Sequence, residues 1–95
     1  MLKYPASTRD LAVTVKESIT HQDVSEIIKK YGGKLLESFD IFDVYQGEQI
    51  EAGYKSMAYA LIFRAPDRTL VEEEVNKSMK KILEKLEETL EAQLR

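Results

Sequence analysis

The chain has 95 residues, of which 43% are apolar and 33% are charged, and its formal net charge is -3 at pH 7. These values predict a single small folded domain and argue against a disordered tail or a protein that binds nucleic acid by charge alone. The absence of cysteine excludes disulfides, thiol nucleophiles and thiolate metal sites. No apolar run approaches the ~20 residues of a membrane span, so we expect no membrane partner.

The first two predicted elements are a strand and a helix. Residues 9–15 alternate apolar and polar side chains, which is the period of a half-buried strand. Thr20 followed by Asp23 indicates a helix start, and the pair Gly32-Gly33 ends a run with apolar residues at helical spacing. The side chains predicted to face the core are Leu11, Val13 and Val15 on the strand and Val24, Ile27, Ile28 and Tyr31 on the helix.

The second predicted strand, residues 35–45, has a break in its alternation. Its last aliphatic residue, Val44, lies one residue out of phase with the earlier ones. A β-bulge near residues 42–43 restores the phase. With that bulge Val44 points to the core, whereas Asp43 and Tyr45 point to the opposite surface.

A loop, a third strand, a long helix and a short strand complete the chain. Residues 46–54 predict a hairpin loop, and residues 56–63 alternate again. Thr69 with Glu72 predicts a capping box that opens the second helix, and residues 92–95 suffice for a final strand. The predicted core stripe of this helix consists of Val71, Val75, Met79, Ile82, Leu83, Leu86 and Leu90.

The resulting order βαββαβ predicts an α+β fold of the ferredoxin-like kind. Right-handed crossovers place both helices on one face of a four-stranded antiparallel sheet. The other face stays open. Its outward residues on the first and third strands are mostly small, which permits close approach of a flat ligand or a nucleic-acid loop.

The residue types that carry catalysis are missing or isolated. His21, the only histidine, is predicted to be a solvated residue of the first helical turn, and no serine lies in a nucleophile elbow or beside an identifiable base. Zinc has no ligand set, and the spacing of Asp40 and Asp43 is too common to predict a magnesium site. We therefore expect a binding module with no catalytic residue, metal or cofactor. Periodicity leaves open whether Tyr45 stacks on an unpaired base or is an ordinary exposed aromatic.

Short segments spread along the chain carry a family resemblance. They are Tyr4-Pro5, Arg9-Asp10-Leu11-Ala12, Leu36-Glu37-Ser38, Phe42-Asp43-Val44-Tyr45-Gln46-Gly47, Lys55-Ser56, Pro66-Asp67-Arg68-Thr69-Leu70, Glu73-Glu74-Val75-Asn76 and Leu94-Arg95. In this order and spacing they resemble the ferredoxin-fold anticodon-binding family, found at the C-terminus of the bacterial phenylalanine–tRNA ligase beta subunit. The resemblance implies a domain over residues 4–95, with residues 1–3 as a linker at the start of a fragment.

The resemblance implies recognition of the anticodon stem-loop of phenylalanine tRNA by the open sheet face. The parent enzyme would be a cytoplasmic phenylalanine–tRNA ligase of α2β2 composition. Its alpha subunit would carry out aminoacylation with ATP and Mg²⁺, so the resemblance gives this domain no cofactor of its own. Two further hypotheses remain open on the residues alone: a small-molecule-sensing regulatory domain that dimerises through its sheet, and a protein-interaction domain.

Anticodon contacts in the family map onto four positions that periodicity also places outward. The resemblance implies base stacking on Tyr45 and a base-edge hydrogen bond accepted by Asp43. It further implies a polar contact from Ser56 and a close-packed floor at Ala12. Secondary candidates, for backbone phosphates, are Arg9, Lys55, Arg64 and Arg68.

Two positions depart from the family pattern. Ala60 stands on the outer face where related sequences often have a basic residue, which argues against strong electrostatic binding. Glu91 occupies the place where a glycine commonly ends the last helix, so the boundary between that helix and the final strand is not defined by the sequence.

Overall fold

A computed structural model describes residues 4–94. The elements are β1 (Ser7–Lys16), α1 (His21–Tyr31), β2 (Leu36–Tyr45), β3 (Tyr54–Phe63), α2 (Glu72–Leu90) and β4 (Gln93–Leu94). The strands form one antiparallel sheet in the order β2-β3-β1-β4. The predicted ferredoxin-like α+β fold is confirmed. The linker predicted at residues 1–3 and the last residue of the predicted final strand lie outside the described part.

The hydrophobic core lies between one face of the sheet and the two helices. Alternate residues of β1 and β3 point into it, as their periodicity predicts. The most deeply buried side chains are Leu11, Val13 and Val15 of β1, Met57, Tyr59, Leu61 and Phe63 of β3, Val24 and Ile28 of α1, and Val75, Ile82 and Leu86 of α2. Burial of one such aliphatic side chain contributes roughly 1.5–3 kcal/mol, so this layer dominates the stability.

Helix α1 begins and ends where the sequence predicts. Thr20 Oγ1 accepts from the Asp23 backbone N–H at 3.1 Å, and the Asp23 carboxylate accepts from the Thr20 N–H at 2.9 Å. These hydrogen bonds with Thr20 hold the pKa of Asp23 below its usual range. Beyond the helix, Gly33 has a φ of 78°, a left-handed conformation that glycine adopts without steric cost.

Helix α2 begins later than predicted, and the predicted capping box at residues 69–72 is wrong. The N-cap is Val71, whose backbone N–H donates to the Glu74 carboxylate at 3.0 Å. Val71 is 58% exposed, whereas Leu70 and Val75 are buried. Apolar residues just before the N-cap and in the second turn commonly pack together and fix the start of a helix. Burial of Leu70 therefore overrides the local signal of the threonine.

Strand β2 contains the predicted bulge. Ile41 pairs with Tyr59 and Asp43 pairs with Ala58, so Phe42 is the extra residue. A second register shift, between Leu36 and Ser38, was not predicted.

Val44 departs from its predicted burial at the end of this strand. It pairs with Met57 on the helix side of the sheet, as predicted, but it is 54% exposed. The strand lies at the sheet edge, and its last residues extend beyond the buried cluster. Val44 therefore shares the core face without entering the core.

Within residues 4–94, neither helix is long and apolar enough to cross a bilayer.

Candidate nucleic-acid interface

The sheet face opposite the helices carries four aligned cross-strand rows. In the order β1, β3, β2 these rows are Thr8–Ile62–Ser38, Asp10–Ala60–Asp40, Ala12–Ala58–Asp43 and Thr14–Ser56–Tyr45. Ala12, Ala58 and Ala60 together form a floor of small side chains. All four predicted anticodon positions lie in the last two rows, so the structure brings them together on one face, as their periodicity predicts.

Tyr45 lies at the edge of this floor, at the end of β2, and is 36% exposed. The bulge at Phe42 determines its direction, since without the extra residue the ring would point to the helix side. The ring packs over the backbone of Gly47. A Cβ added at Gly47 would lie 2.7 Å from Cζ and 3.3 Å from Cε1 of Tyr45. The sequence did not predict this contact, although the spacing of the two residues was part of the family motif.

Ser56, opposite Tyr45 on β3, is only 2% exposed. Its strand position faces the open side, where its cross-strand neighbours are Thr14 and Tyr45. Direct contact between Ser56 and a ligand would require those neighbours to move. In this structure Ser56 therefore belongs to the support of the face rather than to its surface.

Exposed carboxylates surround the alanine floor. Asp10 and Asp40 flank Ala60, and Asp43 lies beside Ala58. No ion pair within 4 Å neutralises these three carboxylates among residues 4–94. An ionised carboxylate is an acceptor only. The face is therefore suited to the amino and imino donors of base edges and is unfavourable for phosphate groups.

Two of the four candidate phosphate ligands lie on the other side of the sheet. Arg9 pairs with Leu61 and Lys55 with Val15, so both occupy helix-side positions in the register. Arg9 Nη2 donates to the Asn76 side chain of α2 at 3.5 Å. Strand parity could have predicted this placement, since Arg9 has the same phase as Leu11.

The other two candidates, Arg64 and Arg68, make intramolecular ion pairs. Arg64 Nε lies 3.2 Å from Glu37, and its guanidinium also donates to the Tyr4 carbonyl. Arg68 pairs with Glu74 in α2 and lies 3.4 Å from Asp67. A phosphate would have to compete with these carboxylates for either arginine.

A group of lysines gathers elsewhere, on the helix layer. The ammonium groups of Lys30, Lys81 and Lys85 lie 5.4, 5.9 and 5.3 Å from the ring centroid of Tyr31. Lys85 also pairs with Glu88 at 3.1 Å, and this bond raises the pKa of the lysine. Since these lysines extend from the helix side, the domain is acidic on its open face and basic on part of its helix layer.

His21, predicted to be solvated, also has a buried partner. Its Nδ1 shares a hydrogen bond of 2.9 Å with Tyr59 Oη, and Ser25 lies within 3.4 Å of the same ring. Across the described residues, no three His, Cys, Asp or Glu side chains form a group that could hold a metal ion.

The sheet order and the uncovered face place the molecule among the α+β domains of ferredoxin-like topology. The family model of the ferredoxin-fold anticodon binding domain matches residues 3–95, so the chain belongs to this family. The resemblance in its short segments is thereby confirmed.

The relatives of the chain are much longer proteins. The chain is 48% identical over 93 residues to the phenylalanine–tRNA ligase beta subunit of Clostridium tetani and 46% identical to that of Bacillus subtilis. The corresponding protein of Streptococcus thermophilus is 48% identical. Each alignment covers 98% of this chain but only 12% of the relative. The chain thus spans about an eighth of the length of these relatives.

Proposed function

We propose that this domain recognises the anticodon stem-loop of phenylalanine tRNA through its open sheet face. The observation that carries the proposal is the convergence of Ala12, Asp43 and Tyr45 in two adjacent rows of an uncovered face. A flat floor, an aromatic ring and an acceptor are the features by which proteins bind the unstacked bases of RNA loops.

Each of these side chains has a separate role. Tyr45 stacks on one anticodon base, and Asp43 accepts a hydrogen bond from the amino or imino group of a base edge. Ala12 leaves room for the base plane to approach the sheet. Ser56, because it is buried, supports Tyr45 from the neighbouring strand and makes no first contact with RNA.

The RNA backbone is held less directly. Arg64, directly after β3, and Arg68, in the loop before α2, are the two predicted phosphate ligands that the strand register does not place on the helix side. Arg64 follows β3 eight residues after Ser56, roughly 25 Å along the strand. Only a ligand of the size of a stem-loop can reach both Arg64 and the end of β3 that carries Ser56. The helix-side positions of Arg9 and Lys55 argue against a contact with the same ligand.

The domain would act within a larger ligase. In this proposal residues 4–95 form part of a phenylalanine–tRNA ligase beta subunit in the cytoplasm. The alpha subunit of an α2β2 assembly carries out aminoacylation with ATP and Mg²⁺. The domain contributes tRNA selection and none of the reacting groups.

The direct test is titration of the domain with phenylalanine tRNA and with a transcript whose anticodon is substituted. We expect tighter binding of the unmodified anticodon, and Tyr45→Ala should reduce that preference. Tyr4→Ala is the matched control, because Tyr4 is an exposed tyrosine outside the sheet. Equal affinity for both transcripts would contradict the proposal. A rise in melting temperature with a free amino acid, without response to tRNA, would support the regulatory hypothesis instead.

A further inference from the structure

We infer that Gly47 is a positioning residue that holds the ring of Tyr45 in its base-stacking orientation before RNA binds. The inference rests on the proposed role of Tyr45 in anticodon recognition and adds a residue that touches no RNA. Glycine is required at this position because of its close contact with the ring, and not because of its backbone conformation.

The close approach of the Tyr45 ring, and not a positive φ, requires a glycine at position 47. Within residues 4–94 the glycines with positive φ are Gly33 and Gly53, so the backbone of Gly47 does not need the left-handed region. An added Cβ at Gly47 would nevertheless lie 2.7 Å from Cζ of Tyr45. Non-bonded carbon atoms are normally 3.5–4.0 Å apart, so any side chain at this position must displace the ring or the loop.

The loop is tied on both sides and resists such displacement. Gln46 Nε2 donates to the Glu17 carboxylate at 2.7 Å, and the backbone N–H of Glu17 donates to the Gly53 carbonyl at 2.9 Å. The Ile50 N–H donates to the Gly47 carbonyl at 3.0 Å. The two bonds of Glu17 connect the loop to the end of β1, and the bond between Ile50 and Gly47 closes a turn within the loop. A side chain at position 47 would therefore move the tyrosine ring rather than the glycine backbone.

Contact with glycine also leaves the ring accessible. The backbone of Gly47 supports Tyr45 without covering it as a side chain would, and the tyrosine remains 36% exposed. A ring that is already fixed loses less rotational freedom when a base stacks on it. Release of the ring should weaken tRNA binding by roughly twofold to tenfold, the equivalent of ordering one side chain.

The test is a double-mutant cycle with Gly47→Ala and Tyr45→Ala in the 95-residue chain. We expect Gly47→Ala to weaken binding of phenylalanine tRNA twofold to tenfold, to reduce the preference over the anticodon-substituted transcript, and to leave the melting temperature within a few degrees. In the Tyr45→Ala background the same substitution should have no further effect. Glu48→Ala, in the same loop, is the control and should bind as the parent chain does.

A second measurement separates this inference from the proposed function. The ring-proton chemical shifts of Tyr45 in the RNA-free domain should change on Gly47→Ala and stay constant on Glu48→Ala. Unchanged ring shifts, or an effect on binding that persists in the Tyr45→Ala background, would overturn the positioning role. If the shifts change but neither variant alters tRNA binding, Gly47 positions the ring and the proposed role of Tyr45 in recognition is wrong.

Discussion

Nδ1 of His21 lies 2.9 Å from Oη of Tyr59, and the two rings stack with their centroids 5.6 Å apart. Tyr59 is a core residue of β3, and its hydroxyl lies beside His21 in the first turn of α1. A hydroxyl in this position satisfies its hydrogen-bonding requirement through the histidine. The pair therefore links the centre of the sheet to the start of a helix.

The buried hydroxyl predicts a loss of stability at alkaline pH. Burial raises the pKa of Tyr59 to about 12, whereas a tyrosine in the unfolded chain titrates near 10. The folded state thus retains the proton to a higher pH than the unfolded chain. The contribution of this group to the free energy of unfolding is fully present below pH 10 and is lost as the pH rises to about 12. We expect a decrease on the order of 2 kcal/mol, somewhat less than the full shift, because His21, the hydrogen-bond partner of the hydroxyl, is exposed to solvent.

Urea unfolding at several pH values between 8 and 12 measures this dependence. Tyr59→Phe should be less stable at neutral pH by about 1 kcal/mol, because the histidine loses its partner, but its stability should fall less steeply above pH 10. Tyr45→Phe, at a more exposed tyrosine, should follow the parent curve. Parallel curves for the parent chain and Tyr59→Phe would contradict the prediction.

The end of α2 predicts a stabilising substitution. Glu91 has a φ of 55°, a left-handed conformation that costs a non-glycine residue roughly 1–2 kcal/mol. Glu91→Gly removes this cost but gives the unfolded chain more freedom, worth about 0.4–1 kcal/mol. The net gain should be about 0.5–1 kcal/mol, or a few degrees in melting temperature.

Glu91→Ala separates this effect from the loss of an ion pair. Glu91 lies 3.6 Å from Lys16, and both side chains are exposed, so the pair contributes little. Alanine removes the carboxylate and keeps the Cβ. Calorimetry should therefore show a gain for glycine alone, and an equal gain for alanine would indicate that charge, not backbone conformation, limits stability here.

A structural feature of this fold could be predicted where the interactions that determine it join residues close together in the sequence. The limits of α1 follow from a capping box and a glycine pair, which act within a few residues. The bulge in β2 follows from the phase of its own apolar residues. The start of α2 was predicted incorrectly because the burial of Leu70, a tertiary contact, decides it. The left-handed conformation of residue 91 could not be predicted, because a glutamate and not a glycine occupies this position.

In the candidate site, too, some features follow from the local sequence and others depend on tertiary contacts. Strand phase alone placed Ala12, Asp43 and Tyr45 on one face. The burial of Ser56 depends on neighbours from other strands, and the packing of Tyr45 on Gly47 depends on how the loop folds back. Neither can be obtained from periodicity. The pairing of Arg64 with Glu37 likewise joins residues far apart in the chain.

The alanine floor predicts a steric block to RNA. Ala12→Leu adds a large side chain in one of the two central rows of the open face, where a base plane would approach the sheet. Because the side chain points away from the core, we expect little change in melting temperature but at least a tenfold loss in tRNA affinity. Thr8→Leu is the matched control, since Thr8 lies on the same face of β1, four residues away. Equal losses for both variants would indicate a general effect of apolar residues on this face.

The charge distribution predicts a shallow salt dependence of tRNA binding. Each phosphate contact contributes about -0.9 to the slope of log K against log salt for a duplex and about -0.7 for a single strand. The open face carries Asp10, Asp40 and Asp43, and both Arg64 and Arg68 are engaged in ion pairs. We therefore expect a slope of magnitude about 2 or less for the isolated domain. Fluorescence titrations between 50 and 300 mM salt would measure this slope.

A variant at the lysines of the helix layer is the control for the measured salt dependence. Replacing Lys30, Lys81 and Lys85 with glutamine removes positive charge from the helix layer without touching the open face. If recognition takes place on the sheet, this variant should keep both the anticodon preference and the slope of the parent chain. A steep slope in the parent chain that the lysine substitutions abolish would place the RNA backbone on the helix layer. In that case the acidic sheet face would not be the main binding surface.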